Sequence, residues 1–341
     1  MGTHAAYDFT PATAEEKEHL VVLRESVSFA RDAWGRLLKN HLAVISAVLI
    51  FIILVFAFFV PVVYPYSYET QIRGSESLAP MAYSAAELAK IDAGESVFPH
   101  YFGTDALGRD YAVRVMVGAK ISLLVGIGAS LIVLVVGSVY GTIAAYFGGK
   151  VDMVMMRILD ILASIPDILI IILLMVSLKF PLRALADAVP QFEWINTVGV
   201  PLVCIFIVFG LLYWMNMARI VRGQVLTLKE SEFITAAKAL GGSNSRIIRK
   251  HIMTNCIGTL IVTTTLQIPS AIFTESFLSF LGIGVAAPLP SLGSLATDAI
   301  TGMQSYPHIL LIPALLISLI ILTLNLFGDG LRDAFDPKLR K

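Results

Sequence analysis

The chain has 341 residues, of which 57% are apolar and 15% charged, with a mean hydropathy of +0.79. A soluble domain carries about 25% charged residues, so this composition excludes a protein whose whole surface faces water. The 25 Lys and Arg balance 25 Asp and Glu, and zero net charge leaves no electrostatic footprint for a nucleic acid partner.

A bilayer-crossing helix needs about 20 mostly apolar residues. A largely polar tail, 1–40, precedes the first such run, HLAVISAVLIFIILVFAFFVPVV at 41–63. A tail of that length sets the run apart from a cleaved leader. The loop 64–120 follows, long for a connector. Within it AELAKIDAG (86–94) has short helical character, and GTDALGRD places glycine turns around Asp105, Arg109 and Asp110.

Residues 121–149 are free of charge and supply a second span. A third, at 155–178, is interrupted by Arg157, Asp160 and Asp167. The fourth falls at 197–218, the fifth at 255–277 and the sixth at 306–327. Cys204 and Cys256 lie inside these apolar runs and read as small buried hydrophobes. The stretch 276–297 is also uncharged, but Gly282, Gly284, Pro288, Pro290 and Gly293 oppose a full crossing. It reads as a loop or short re-entrant piece outside the membrane. The expectation is an all-α integral membrane protein with six transmembrane helices. A core of five spans (121–327) carries the loop 219–254, and 328–341 form the C-terminal tail.

Lys and Arg bias sets orientation. With the N-terminus inside, internal segments hold 18 of these residues and external ones 7. Both termini are expected in the cytoplasm and the loop 64–120 outside.

The loop between spans four and five is the most informative stretch. Ser231 has N-cap chemistry, and Glu232 to Leu240 contains good helix formers without proline. Phe233, Ala236, Ala237 and Leu240 recur at helical spacing, giving one small apolar face. Gly241-Gly242 ends that helix and permits a sharp turn. A basic helix from Ser243 to His251 then leads into span five. Lipid proximity explains the basic residues, whereas small alanines on an exposed helix fit seating in a partner's groove.

Thr235-Ala236-Ala237-x-x-x-Gly241 resembles the coupling loop of ABC importer permeases, with Thr235 at the family's glutamate and Met253-Thr254 at its later Leu-Pro. FGTDALGRD (102–110) with Arg114, Gly118 and Ser122-Leu123 is similar to the stretch before span two of oligopeptide and dipeptide permeases. DILASIP (160–166), ESFLSFLGIGVAAPLPSLGSL (275–295) and GDGLRDAFDPKLR (328–340) resemble their third span and the end of their C-type subunit. The resemblance covers 20–341. It implies a type I ABC importer permease fold in the bacterial cytoplasmic membrane, and import of peptides.

The resemblance further implies a second permease subunit, two ATPase subunits and an extracytoplasmic substrate-binding protein as partners, besides membrane lipid. Coupling to the ATPase falls to Glu232, Thr235, Ala236, Ala237, Leu240, Gly241 and Gly242. Alternating access is expected, with spans two to six rocking against the partner.

Asp160 and Asp167, seven residues apart, are expected on nearly one face of span three. A charge at membrane depth faces a cavity or a partner. Asp167 is therefore a candidate for the translocation path, while Asp160 reads as an ion pair with Arg157. Glu275, the second candidate for the translocation path, is expected near the outer surface, at a gate or binding-protein dock or else among headgroups. Gly137-x-x-x-Gly141, continued by Ala145, permits close helix contact. His308 is read as interfacial, without a role.

No phosphate-binding loop exists: Gly149-Lys150 has Ala144 at the first glycine position and Val151 where Ser or Thr should follow. No cofactor is expected in this chain, and ATP and Mg2+ are assigned to the partner ATPase subunits. HExxH, CxxC and GxSxG are absent, so no catalytic residue is expected. A nickel or other small-solute importer, a secondary transporter and a membrane scaffold remain as alternative readings.

Overall fold

The computed structural model describes residues 29–336; the tail before residue 29 and residues 337–341 lie outside them. Helix α1 (Phe29–Lys39) stops at Asn40. The Asn40 carboxamide oxygen then accepts from the Leu42 and Ala43 amides at 3.1 and 3.2 Å, starting α2 (His41–Val63). The rest of the described chain runs through α3 (Ala85–Asp92), α4 (Tyr111–Phe147), α5 (Gly149–Leu162) and α6 (Asp167–Ala188). It continues with α7 (Val200–Lys229), α8 (Glu232–Ala239), α9 (Asn244–Phe280), α10 (Leu292–Ala299) and α11 (Pro307–Phe335).

Six of these, α2, α4, α6, α7, α9 and α11, are long and apolar enough to cross a membrane, the number expected. Their outer faces carry uncovered apolar side chains, such as Val63 at 82% and Phe180 at 76% exposure. No aqueous surface tolerates such a belt, and lipid does.

Helix α4 is the axis of the bundle, the most buried of the six, with α7 next. The two touch backbone to backbone. A Cβ on Gly137 would stand 2.6 Å from that of Met217, and one on Gly141 2.4 Å from the Ala218 carbonyl oxygen. The small-residue row is a packing device, as its spacing implied. Helices α9 and α11 pack beside α4, α2 lies along α11, and α6 leans on the N-terminal part of α7.

The spans differ in extent from the apolar runs. Helix α4 begins at Tyr111, not 121, because Asp110 caps it and its first turns bury Arg114 among loop residues. At 1.5 Å per residue its 37 residues reach about 55 Å, well beyond the hydrocarbon core of about 30 Å. Helices α7 and α9 likewise overrun their runs and shorten the loop between them to a helical hairpin. The sixth span continues to Phe335, through much of the segment expected as tail.

The third span requires a correction. The crossing is α6, 167–188, not 155–178. Pro166 lacks an amide hydrogen and disfavours a helical residue before it, so the chain breaks at 163–166 and the charged segment becomes the separate α5. Asp160 and Asp167 therefore lie on different helices and share no face. The expected Arg157–Asp160 pair is replaced by Arg219–Asp160 at 3.4 Å.

Within 276–297, residues 276–280 complete α9 and the remainder is a turn followed by a short helix, with no separate crossing. After Phe280 the chain turns at Gly282 (φ +77°) and α10 folds back against α4, α9 and α11, with Leu292 and Leu295 fully buried. A Cβ on Gly293 would sit 2.2 Å from the Ser276 carbonyl oxygen, so this return requires glycine.

Candidate functional site

Helix α8 is held at one end of the bundle. The Ser231 backbone is extended as an N-cap requires, but its hydroxyl donates back to the Leu228 carbonyl at 2.5 Å and makes no side-chain cap. The Thr235 hydroxyl likewise donates to the Ser231 carbonyl at 3.4 Å. Ile234 is the anchor. It is fully buried in a cluster with Tyr146 of α4, Val221 and Val225 of α7, and Ile247, Ile252 and Cys256 of α9. Sequence periodicity pointed to Phe233, Ala236, Ala237 and Leu240 and missed Ile234, whose β-branched side chain is the one turned inward.

What remains outward is Phe233, 44% exposed, Leu240, 88% exposed, and the small Ala236 between them, with Glu232 and Thr235 alongside. Ala237 is half-buried. The helix ends in a Schellman motif: the Gly241 amide donates to the Lys238 carbonyl and the Gly242 amide to that of Ala237, each at 3.0 Å. Gly241 sits at φ +77°, and a Cβ on Gly242 would meet the Ala237 oxygen at 2.7 Å. The two glycines thus answer different demands, one conformational and one steric.

Three contacts knit the spans together around α8, one of them made by α8 itself through Lys238. The Tyr146 hydroxyl donates to Asn244 Oδ1 at 2.7 Å, and the Lys238 ammonium lies 5.8 Å from the Tyr146 ring centroid. The Lys229 ammonium donates to the Ala145 carbonyl at 3.3 Å. Beyond them, α5 is clamped to α7 by Arg222, which grips Asp152 through two hydrogen bonds of 2.5 and 2.6 Å. That fork holds the Asp152 carboxyl below its ordinary value. The sequence gives no local signal for this pair, whose members are seventy positions apart.

The two acidic candidates of the membrane region part company. Asp167 is exposed at the start of α6. Glu275 faces neither a gate nor headgroups. It is fully buried, accepting from Ser122 of α4 at 2.7 Å and from Ser279 at 2.8 Å, beneath α10. It is an internal strut joining α4 and α9.

At the opposite end, FGTDALGRD folds into a tight hairpin whose Asp105 amide donates to the Arg109 carbonyl at 3.0 Å. Gly103 and Gly108, both at positive φ, have backbone carbonyls where a Cβ would go. Asp105 accepts from the Leu107 and Arg109 amides and from the Arg109 and Arg114 side chains. Burial pushes its carboxyl up, and these partners outweigh burial to leave it below its ordinary value.

Asp110 caps α4 through the Val113 amide at 3.0 Å, and its other oxygen lies 2.7 Å from His100 Nδ1. His100 Nε2 lies 3.0 Å from Glu87, which closes a capping box with Ser84. Burial opposes the protonated ring, but the two carboxylates prevail and raise its value. The motif seals this end of the bundle.

A groove of about 690 Å³ opens between α7, α9 and α11, with Asn216, Thr263 and Gln267 in its walls.

Comparison with known proteins accords with this architecture. The family profile described as binding-protein-dependent transport system inner membrane component matches residues 137–341. That described as the N-terminal TM domain of oligopeptide transport permease C matches 28–80. The oligopeptide transport system permease protein OppC of Bacillus subtilis is 41% identical over 98% of this chain and 97% of its own length. The dipeptide transport system permease protein DppC of the same organism is 40% identical over 94% of this chain and 89% of its own. OppC of Escherichia coli K12 is 40% identical over 93% of each. The chain belongs to the binding-protein-dependent inner-membrane permease family, in its oligopeptide and dipeptide transport branch, with the type I importer fold in the bacterial inner membrane.

Proposed function

We propose that this chain is the C-type permease subunit of an ATP-driven importer that carries peptides across the cytoplasmic membrane. The observation that carries the reading is α8: anchored by Ile234, ended by Gly241-Gly242 and leaving Phe233, Ala236 and Leu240 exposed on its outward face. In this reading the partner is an ATPase subunit, two of which bind ATP and Mg2+ and close on nucleotide. Glu232, Thr235, Ala236, Ala237, Leu240, Gly241 and Gly242 form the coupling surface. Ile234, Tyr146 and Asn244 pass its motion to α4, α7 and α9. A second permease completes the channel, and a binding protein delivers substrate from outside.

The charge asymmetry of 18 against 7 supports an inward-facing α8 end with both termini cytoplasmic. Peptide is the substrate named for the relatives, which span nearly the whole chain. Nickel or another small solute is not favoured, and neither is a secondary transporter. Asp167, exposed at the start of α6, is retained as a path residue; sealed Glu275 is not.

Reconstitution tests the proposal. Proteoliposomes holding this chain with its partner permease, ATPases and binding protein should accumulate labelled tripeptide with ATP inside the ATPase-bearing compartment. Omitting this chain should abolish uptake, and uptake without it would refute the proposal.

A further inference from the structure

Thr259, Thr263, Gln267 and Ser270 recur along α9 at spacings of four, four and three. At 3.6 residues per turn they fall within about 80° of arc, and at 1.5 Å per residue they span about 16 Å. All four border the groove between α7, α9 and α11, and Asn216 of α7 borders it from across. Among the described residues, none of these five side chains is hydrogen-bonded within the chain.

That unspent capacity is unusual in its setting. Thr265, Thr274 and Thr227 each turn the hydroxyl back onto a carbonyl four residues earlier, the ordinary resolution on a membrane helix. Bare hydroxyls and amides facing hydrocarbon are costly. The other side of α9, with Ile257 at 46% and Ile261 at 40% exposure, is apolar and suits lipid. The polar row therefore belongs to a wet face. From Asn255 to Thr274, α9 carries no charged residue.

We propose that this row lines the translocation path and engages the substrate through its peptide backbone. The inference rests on the peptide reading and gives it a recognition chemistry. Hydroxyls and a carboxamide both donate and accept, matching the alternating N–H and C=O groups of an extended chain. An extended peptide advances about 3.3–3.6 Å per residue, so the row accommodates about five residues. The row itself carries no fixed charge, and the two charged residues that border the groove with it, Arg332 and Asp336, are of opposite sign, so net sorting by side-chain charge is weak. Specificity for sequence then lies elsewhere in the importer.

The test uses the complete importer in proteoliposomes and two tripeptides, Ala-Lys-Ala and Ala-Glu-Ala. Gln267→Glu should raise the Lys-to-Glu uptake ratio about fivefold, the scale of one charge pair in a wet groove. Thr263→Val should lower uptake of both, leaving the ratio unchanged. The partner permease should co-purify with both variants as with the unaltered chain.

An unchanged ratio in a Gln267→Glu complex that imports normally would overturn the proposal. Loss of the partner permease from either variant would place the row in permease–permease contact and would also overturn it. If Gln267→Glu assembles but imports nothing, Thr263→Cys decides, since Cys204 and Cys256 are buried. Protection of the new thiol from a water-soluble maleimide by transported peptide supports the proposal, and unaltered labelling overturns it. Failure of the unaltered complex to import either peptide would overturn the peptide reading and this proposal together. A normal unaltered complex with an unshifted ratio overturns this proposal alone.

Discussion

The Tyr146 hydroxyl donates to Asn244 Oδ1 at 2.7 Å, binding the last turn of α4 to the first turn of α9 directly beside α8. Lys238 of α8 lies over the same tyrosine ring. One side chain thus meets three helices where the proposed coupling enters the membrane bundle. Tyr146→Phe removes only the hydrogen bond, worth about 1 kcal/mol net. The variant should assemble normally and import less peptide per ATP hydrolysed, by about fivefold at most. Parallel phosphate-release and uptake assays on the same vesicles give the ratio.

Gly241 and Gly242 predict different substitution patterns. Gly241 occupies left-handed backbone with open space around its Cβ position. Gly241→Asn, which tolerates that region, should import almost normally, while Gly241→Val should cost about 1–2 kcal/mol and impair uptake. Gly242→Ala should be worse than Gly241→Ala, because its methyl meets the Ala237 carbonyl. Uptake rates across the four variants check the order.

The contact of α4 with α7 is a backbone contact, so its tolerance for volume is small. Gly141→Ala puts a methyl where the Ala218 carbonyl oxygen stands. Overpacking of this kind costs about 1–3 kcal/mol. The variant should unfold at lower temperature in detergent, and Gly141→Leu should fail to accumulate in the membrane. Thermal-shift measurement and membrane yield report the two outcomes.

The seal built on His100 should respond to pH with a definite sign. The folded value of His100 is raised by Asp110 and Glu87 against the effect of burial. Its contribution is therefore fully present below its unfolded value, about 6.5, and is lost as pH rises through the folded value. Burial pushes Glu87 up, but the Ser84 amide and His100 outweigh it and lower its folded value. Its contribution is present above its unfolded value and lost as pH falls through the folded one. Protection of the amides in residues 64–110, taken relative to their intrinsic exchange at each pH, should be greatest at mildly acidic pH and fall along an alkaline limb. In His100→Gln the alkaline limb should disappear.

The number of spans and the hairpin between spans four and five were legible because they are local signals: apolar runs, helix formers and a Gly-Gly stop. Pro166 stands in plain view within DILASIP, yet the expected span 155–178 runs straight through it. The proline breaks the helix outright, and the largely apolar helix after it, α6, is the crossing. Ile234 escaped notice because an eight-residue helix offers too few turns to decide which face is inner. The Arg222–Asp152 clamp and the burial of Glu275 by Ser122 depend on residues distant in sequence. No periodicity encodes such meetings. The polar row on α9 was present in the sequence, yet only the groove distinguishes it from ordinary threonines bonded to their own helix.

The central claim is that energy for import enters through the outward face of α8. The most direct measurement is peptide uptake and ATP hydrolysis by the reconstituted importer carrying Ala236→Asp, which places a charge in the middle of that face. Ala236 contributes nothing to the buried cluster around Ile234, so the chain should fold and pair with its partner permease. Uptake should fall to background, and loaded binding protein should no longer stimulate ATP hydrolysis. Import at the unaltered rate, with stimulated hydrolysis intact, would contradict that claim.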